Sequence, residues 1–269
     1  PRAEFEALVE SGCTGRPGPV FIEMCLDVQG APVEPADFEG GTAPVLDPPS
    51  PRMVSGDDAA AAIAEAINGS ERPIILLGAG ISRATAEELR PALREMGVPL
   101  QATWNAADRL GVEEPLYVGR PNTWGQRGAN LVLAQSDCIV ALGSRLGLQQ
   151  TGFNWQEFAP VGTVVQVDID PAELDKGHPV IDVPLVAEAN ETLRALTTHR
   201  FGDYSQWLAY AQEVAALPLD DPANETAPGY ISPYSFVGDL SGNCTGDDVV
   251  IPCSSGGANS VMMQALLQK

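Results

Sequence analysis

A short apolar run, Pro73 to Leu77, breaks at Gly78-Ala79-Gly80 and is followed by Ser82 and Thr85, either of which can open a helix. The run reads as a strand buried on both faces. A strand that passes through a glycine turn into a helix is how α/β proteins build a phosphate or nucleotide cradle. It also commits the chain to parallel strands joined by crossover helices, because the helix must return over the sheet before the next strand. Two roles stay open for the turn: a working cradle or a piece of scaffold.

The surrounding sequence repeats the alternation. Further strands are expected at Val98–Ala102, Cys138–Leu142, Val161–Ile169 and Ile181–Val186. Helix signals lie between them. Ser55 precedes Asp57 and Asp58, and Ala60, Ile63, Ala64 and Ile67 follow at helical spacing until Asn68-Gly69 stops the pattern. Ala86, Leu89, Leu93 and Met96 mark a second helix closed by Gly97, which Pro91 should kink or split. Ala129–Ala134 forms a third. Asp170-Pro171-Ala172-Glu173 starts a fourth, with Asp170 as N-cap and Glu173 completing a capping box. Ala189, Leu193 and Leu196 mark a fifth. The expected fold over residues 55–200 is therefore α/β: a three-layer, Rossmann-like parallel sheet with helices on both faces.

The flanks read differently. A helix end is expected over residues 1–10, with Phe5, Leu8 and Val9 on one side, and a buried strand over Val20–Leu26. That strand has no earlier segment to pair with, so residues 1–29 look like the closing piece of an upstream domain. Residues 30–54 are proline-rich and have linker composition. Beyond residue 200, Trp207, Leu208, Ala211, Val214 and Ala215 give an amphipathic helix, and Ser232-Pro233 starts another. Asp248–Pro252 is expected as a strand before Ser254-Ser255-Gly256-Gly257, so residues 201–269 look like a linker helix and the opening of a further α/β domain.

Charge narrows the partners. A net charge of −21 repels phosphate backbones and anionic lipid, which makes nucleic acid and membrane poor partners. No apolar run approaches the roughly 18 residues that span a bilayer, and no charged-then-apolar leader is visible at Pro1. The five cysteines form no CxxC pair, which argues against a zinc ribbon and a disulfide scaffold. A cytoplasmic location is the expectation.

The glycine turn fits no ordinary dinucleotide fingerprint. Arg83 stands at the third glycine position, and the second strand ends in Gln101-Ala102-Thr103-Trp104 without the acid a ribose needs. The GAGIS string also resembles the opening motif of sirtuin deacylases, but neither His178 nor His199 precedes a glycine, and the zinc cysteines are missing.

A resemblance that runs through the whole chain is stronger. GRPGPVFIEMCLDVQ is similar to the segment closing the N-terminal domain of thiamine-diphosphate-dependent enzymes of the acetolactate synthase type. RPIILLGAG, RGANLVLAQSDCIVALGSRL and VVQVDIDPAEL resemble their central domain in order and spacing, and SPYSFVGDLSGNCTGDDVVIPCSSGG resembles the start of their C-terminal domain.

The resemblance implies a parent enzyme that holds thiamine diphosphate and Mg²⁺, acts on a small 2-oxo acid by carbon–carbon bond formation or cleavage, and assembles as a dimer or tetramer. The family's proton-relaying glutamate and its Gly-Asp-Gly magnesium motif have no counterpart here, so this chain alone is expected to be inactive, with no catalytic residue and no metal ligand. FAD or another nucleotide is implied for the central domain of some members, and others hold none. The implied contacts are Gly78 and Gly80, with Gly143, Ser144 and Arg145 at the opposite strand end and Asp168 near a ribose. Ser255, Gly256 and Gly257 fall where relatives approach the cofactor diphosphate, although the family's Asp and His are absent from SSGGAN. Arg127 is a candidate phosphate partner, and Trp104, Trp124 and Trp155 are candidate pocket walls. A regulatory nucleotide-binding module and a structural spacer or dimerisation domain are the alternatives.

Overall fold

A computed structural model describes residues 2–14, 16–34, 52–220, 226–252 and 256–269. Residues up to Arg52 and residues Met53–Lys269 form two compact units. Most of the proline-rich segment, and Ser254 and Ser255, lie outside the described residues.

The first unit holds helix α1 (Arg2–Ser11) and the single turn α2 (Leu26–Gln29). The strand expected over Val20–Leu26 does not form: Phe21 is 84% exposed and Met24 64% exposed. The cause is the one its position suggests. A strand needs a neighbour for its amides and carbonyls, and the described residues of this unit supply none.

The second unit begins with α3 (Gly56–Asn68), whose cap Ser55 accepts from the Asp58 amide. Then come β1 (Pro73–Leu77), α4 (Arg83–Glu95) and β2 (Leu100–Ala102). A 3₁₀ turn (Trp104–Arg109) opens the long loop to α5 (Arg127–Gln135). β3 (Cys138–Leu142), a single turn α6 (Leu148–Thr151) and β4 (Thr163–Asp168) follow. The chain continues through α7 (Pro171–Leu174), β5 (Val183–Val186) and α8 (Ala189–Leu196). It ends with α9 (Ser205–Ala215), α10 (Pro233–Asn243) and α11 (Gly257–Ala265).

All five strands are parallel, in the order β2-β1-β3-β4-β5. Every residue of β1 and β3 is buried, so both faces of the sheet are covered and the runs need no polar alternation. α3 and α8 lie against each other, with Ile63, Ile67, Leu193 and Leu196 fully buried. α9 is anchored to the start of β1: Trp207 Nε1 donates to the Pro73 carbonyl at 2.9 Å and Tyr204 Oη to the Ile67 carbonyl at 2.6 Å.

Two expectations differ from the structure. α4 is one helix that runs through Pro91 without splitting. Leu89 and Leu93 on either side are both buried in the core, and that packing carries the helix past the proline. Asp248–Pro252 forms no strand, and Val249 is 86% and Ile251 77% exposed. Like the first unit, this segment has no edge beside it to pair with.

Truncating Leu193 to Ala removes a fully buried side chain from the α3–α8 contact and should cost about 2–5 kcal/mol in denaturant unfolding. A loss below about 1 kcal/mol would contradict the packing. At Cys138, burial first and Asp137 second push the thiol up to about 12. The fold thus favours the neutral thiol, so this contribution is intact below the unfolded thiol range and is lost as pH climbs from about 9 through 12. Cys138→Ala should flatten that alkaline decline in unfolding midpoint; an unchanged slope would count against it.

Candidate functional site

In a 2-1-3-4-5 sheet the chain runs outward in opposite directions from β1 and β3, and the crevice between their carboxyl ends is where such folds bind ligands. Gly78-Ala79-Gly80 follows β1, and Gly143-Ser144-Arg145 follows β3, so both candidate loops sit at that switch point.

The two loops meet each other there. A Cβ on Gly78 would stand 2.2 Å from the Gly143 carbonyl oxygen, and one on Gly80 would stand 2.7 Å from the Gly143 Cα. Gly143 itself has φ +63°, a left-handed conformation that disfavours a side chain. The glycines are therefore required by backbone-to-backbone contact. Hydrogen bonds close the seam: Gly78 N donates to Leu142 O at 2.8 Å, Gly80 N to Gly143 O at 2.9 Å, and Gly143 N to Val167 O at 3.0 Å.

The amides that would face a phosphate also have internal acceptors. Ile81 N donates to Gly78 O at 3.1 Å, and Ser82 N to Asn190 Oδ1 at 2.8 Å. Asn190 Nδ2 returns to Gly80 O at 3.0 Å, so this residue of α8 clamps the turn from both sides. Ser82 Oγ caps α4 through the Thr85 amide. In this arrangement the β1 turn does not fit a diphosphate, which would have to displace both Gly143 O and Asn190 Oδ1.

The opposite loop is held from below. Ser144 is buried; its carbonyl accepts from Gln166 Nε2 at 3.1 Å. Arg145 is exposed, and its carbonyl accepts from Lys176 Nζ, which also pairs with Glu173 at 2.8 Å. Asp168, at the end of β4, is 6% exposed, and its carboxylate accepts from the Asp170 amide at 3.0 Å. Asp170 caps α7 through the Ala172 amide at 2.9 Å. The structure thus brings Gly78, Gly80, Gly143, Ser144, Arg145 and Asp168 to one end of the sheet. Gly256, with φ +69°, and Gly257 start α11, and Ser255 lies outside the described residues.

The other candidates disperse. Arg127 Nη2 donates to the Pro218 carbonyl at 3.3 Å, tying α5 to the end of α9. Trp124 contacts Phe153 edge-on and Trp155 tilts against His178, so the tryptophans pack with separate partners.

Neither Asn190 nor Arg120 carries a signal in the sequence. Arg120 is 3% exposed, and its Nη2 donates to the Leu266 carbonyl at 2.7 Å, where α11 ends. Gln126 Nε2 reaches the Gln264 carbonyl at 2.8 Å. A guanidinium at a helix C-terminus satisfies orphan carbonyls and complements the helix dipole. The long loop therefore grips α11. Only the glycine content and length of that loop hinted at it.

Gly78→Ala should unfold the domain or cost several kcal/mol, because its Cβ would meet fixed backbone. Gly238→Ala, in α10 with nothing within 4 Å of the new Cβ, should be neutral or stabilising by about 1 kcal/mol. Equal effects at the two positions, read by thermal unfolding, would contradict the seam.

Comparison with known proteins agrees with this architecture. The family described as thiamine pyrophosphate enzyme, central domain, matches residues 60–196. A probable acetolactate synthase large subunit of Methanocaldococcus jannaschii is 31% identical over 241 residues, covering 88% of this chain and 40% of that protein. The acetolactate synthase large subunit of Corynebacterium glutamicum is 34% identical over 242 residues, covering 84% of this chain and 38% of its own length. For the Escherichia coli isozyme 1 large subunit the figures are 35% over 167 residues, 61% and 28%. This chain spans about two fifths of the first two relatives.

Proposed function

Because the chain belongs to the thiamine pyrophosphate enzymes through their central domain, we propose that it is the middle portion of an enzyme that makes or breaks a carbon–carbon bond beside the carbonyl of a 2-oxo acid. The observation that carries this reading is continuous similarity to proteins named as acetolactate synthase large subunits, over 88% of the chain in one case. Such a parent would be a transferase or lyase working as a dimer or tetramer. Thiamine diphosphate supplies the carbanion-stabilising chemistry of this class.

The residues of this chain do not fit that cofactor. Among the described residues no group of three or more His, Cys, Asp or Glu could hold a metal ion, and the sequence contains no Gly-Asp-Gly. The backbone amides at Gly256 and Gly257 would supply one edge of an anion contact at most. In this proposal the catalytic groups and the Mg²⁺ ligands belong to other parts of the parent.

What this chain contributes is scaffold. The engaged amides at the switch point and the seam between the two glycine loops make the domain self-contained, which favours a spacer role over a regulatory nucleotide site. Asp168 is the residue on that face best suited to a ribose hydroxyl, since a carboxylate accepts from it. No helix among the described residues is long and apolar enough to cross a membrane.

Incubated with pyruvate, thiamine diphosphate and Mg²⁺, the 269-residue chain should give no carbon dioxide and no condensation product. Turnover under those conditions would overturn the assignment of the catalytic groups elsewhere.

A further inference from the structure

A cleft of about 320 Å³ lies between the start of α4 and the 3₁₀ turn after β2, and neither Gly78–Gly80 nor Gly143–Arg145 lines it. Three guanidinium groups line it, those of Arg83, Arg90 and Arg109, together with the carboxylates of Glu87 and Asp108. Three cations against two anions leave one positive charge, on a chain whose net charge is −21.

The arrangement is unfavourable for the helix alone. Arg83 is the first residue of a 13-residue helix with no acid in its first turn, so a cation sits at the positive end of the helix dipole, where an anion is preferred. Asp108 relieves this. Its carboxylate bridges Arg83 Nε and Arg109 Nη1. Arg109 is only 7% exposed and is held in place by its Nε, which donates to the Ile81 carbonyl at 2.7 Å. Arg90 pairs with Glu87 at 2.6 Å and reaches Glu114 at 3.5 Å, so it too would exchange a carboxylate for the ligand.

We propose that this cleft binds a small phosphate dianion, either free phosphate or the phosphate group of a small metabolite, and that Asp108 is an internal stand-in for it. A planar carboxylate can bridge two arginines. A tetrahedral dianion has the oxygens to engage all three, and guanidinium forks suit that geometry. The open volume is at the lower end of the range for small-molecule sites. On arrival of the ligand, Asp108 leaves Arg83 and Arg109 and turns to solvent. This site lies outside the role proposed above and does not depend on it.

The test is calorimetric titration of the 269-residue chain with inorganic phosphate against chloride at matched ionic strength, followed by one phosphorylated three-carbon acid. Saturable phosphate binding is expected, weakened about tenfold by Arg83→Gln, the loss of one charge-assisted contact, and tightened by Asp108→Asn, which removes the competing carboxylate. Arg83 is exposed, so its variant should fold and decide the matter even if Asp108→Asn does not. Tighter binding of the phosphorylated acid than of phosphate would identify a metabolite as the occupant, and equal binding would identify free phosphate. The absence of saturable binding, or binding indifferent to Arg83→Gln, overturns the proposal.

Discussion

The structure depends on one close approach. Where the sheet changes direction, the backbones after β1 and β3 come together at a distance only glycine allows, with a would-be Gly78 Cβ 2.2 Å from Gly143 O. That contact fixes the carboxyl edge of the two central strands and presents Ser82 to Asn190 on α8. Side chains at any of these glycines would hold the loops apart and open the core above Leu77 and Leu142. In this structure the backbone at Gly143 occupies the space where a side chain on Gly78 or Gly80 would stand.

This explains how a fold associated with cofactors can serve as scaffold. A phosphate cradle needs free amides, and those of Gly80, Ile81 and Ser82 have acceptors within the chain. The support is polar: Gln166 holds Ser144 and Lys176 holds Arg145 beside the seam, and Arg120 holds the end of α11. The Arg120 contact ties the loop before α5 to the end of α11.

Much of the sheet was legible in the sequence because its strands carry their own evidence. Pro73–Leu77 and Cys138–Leu142 are unbroken apolar runs buried on both faces, and the caps at Ser55, Ser82 and Asp170 are residue types with a local reason to end or begin a helix. Val20–Leu26 and Asp248–Pro252 are apolar too, yet neither became a strand, since strand identity also requires a neighbour that composition cannot supply. The candidate site was legible as positions and not as roles. Gly78, Gly80 and Gly143 were read as places for a ligand to approach, and nothing local could say that they approach one another. Asn190 and Arg120 were invisible because their partners are 108 and 146 residues away.

Amide hydrogen exchange at Gly80, Ile81 and Ser82, measured on the chain without added nucleotide, tests the account most directly. Three internally bonded amides at the core of the sheet should exchange with protection close to that of the β1 strand itself. Exchange at the rate of an open loop, slowing only when FAD or ADP is added, would mean that the turn is a cradle awaiting its ligand and would contradict the scaffold reading.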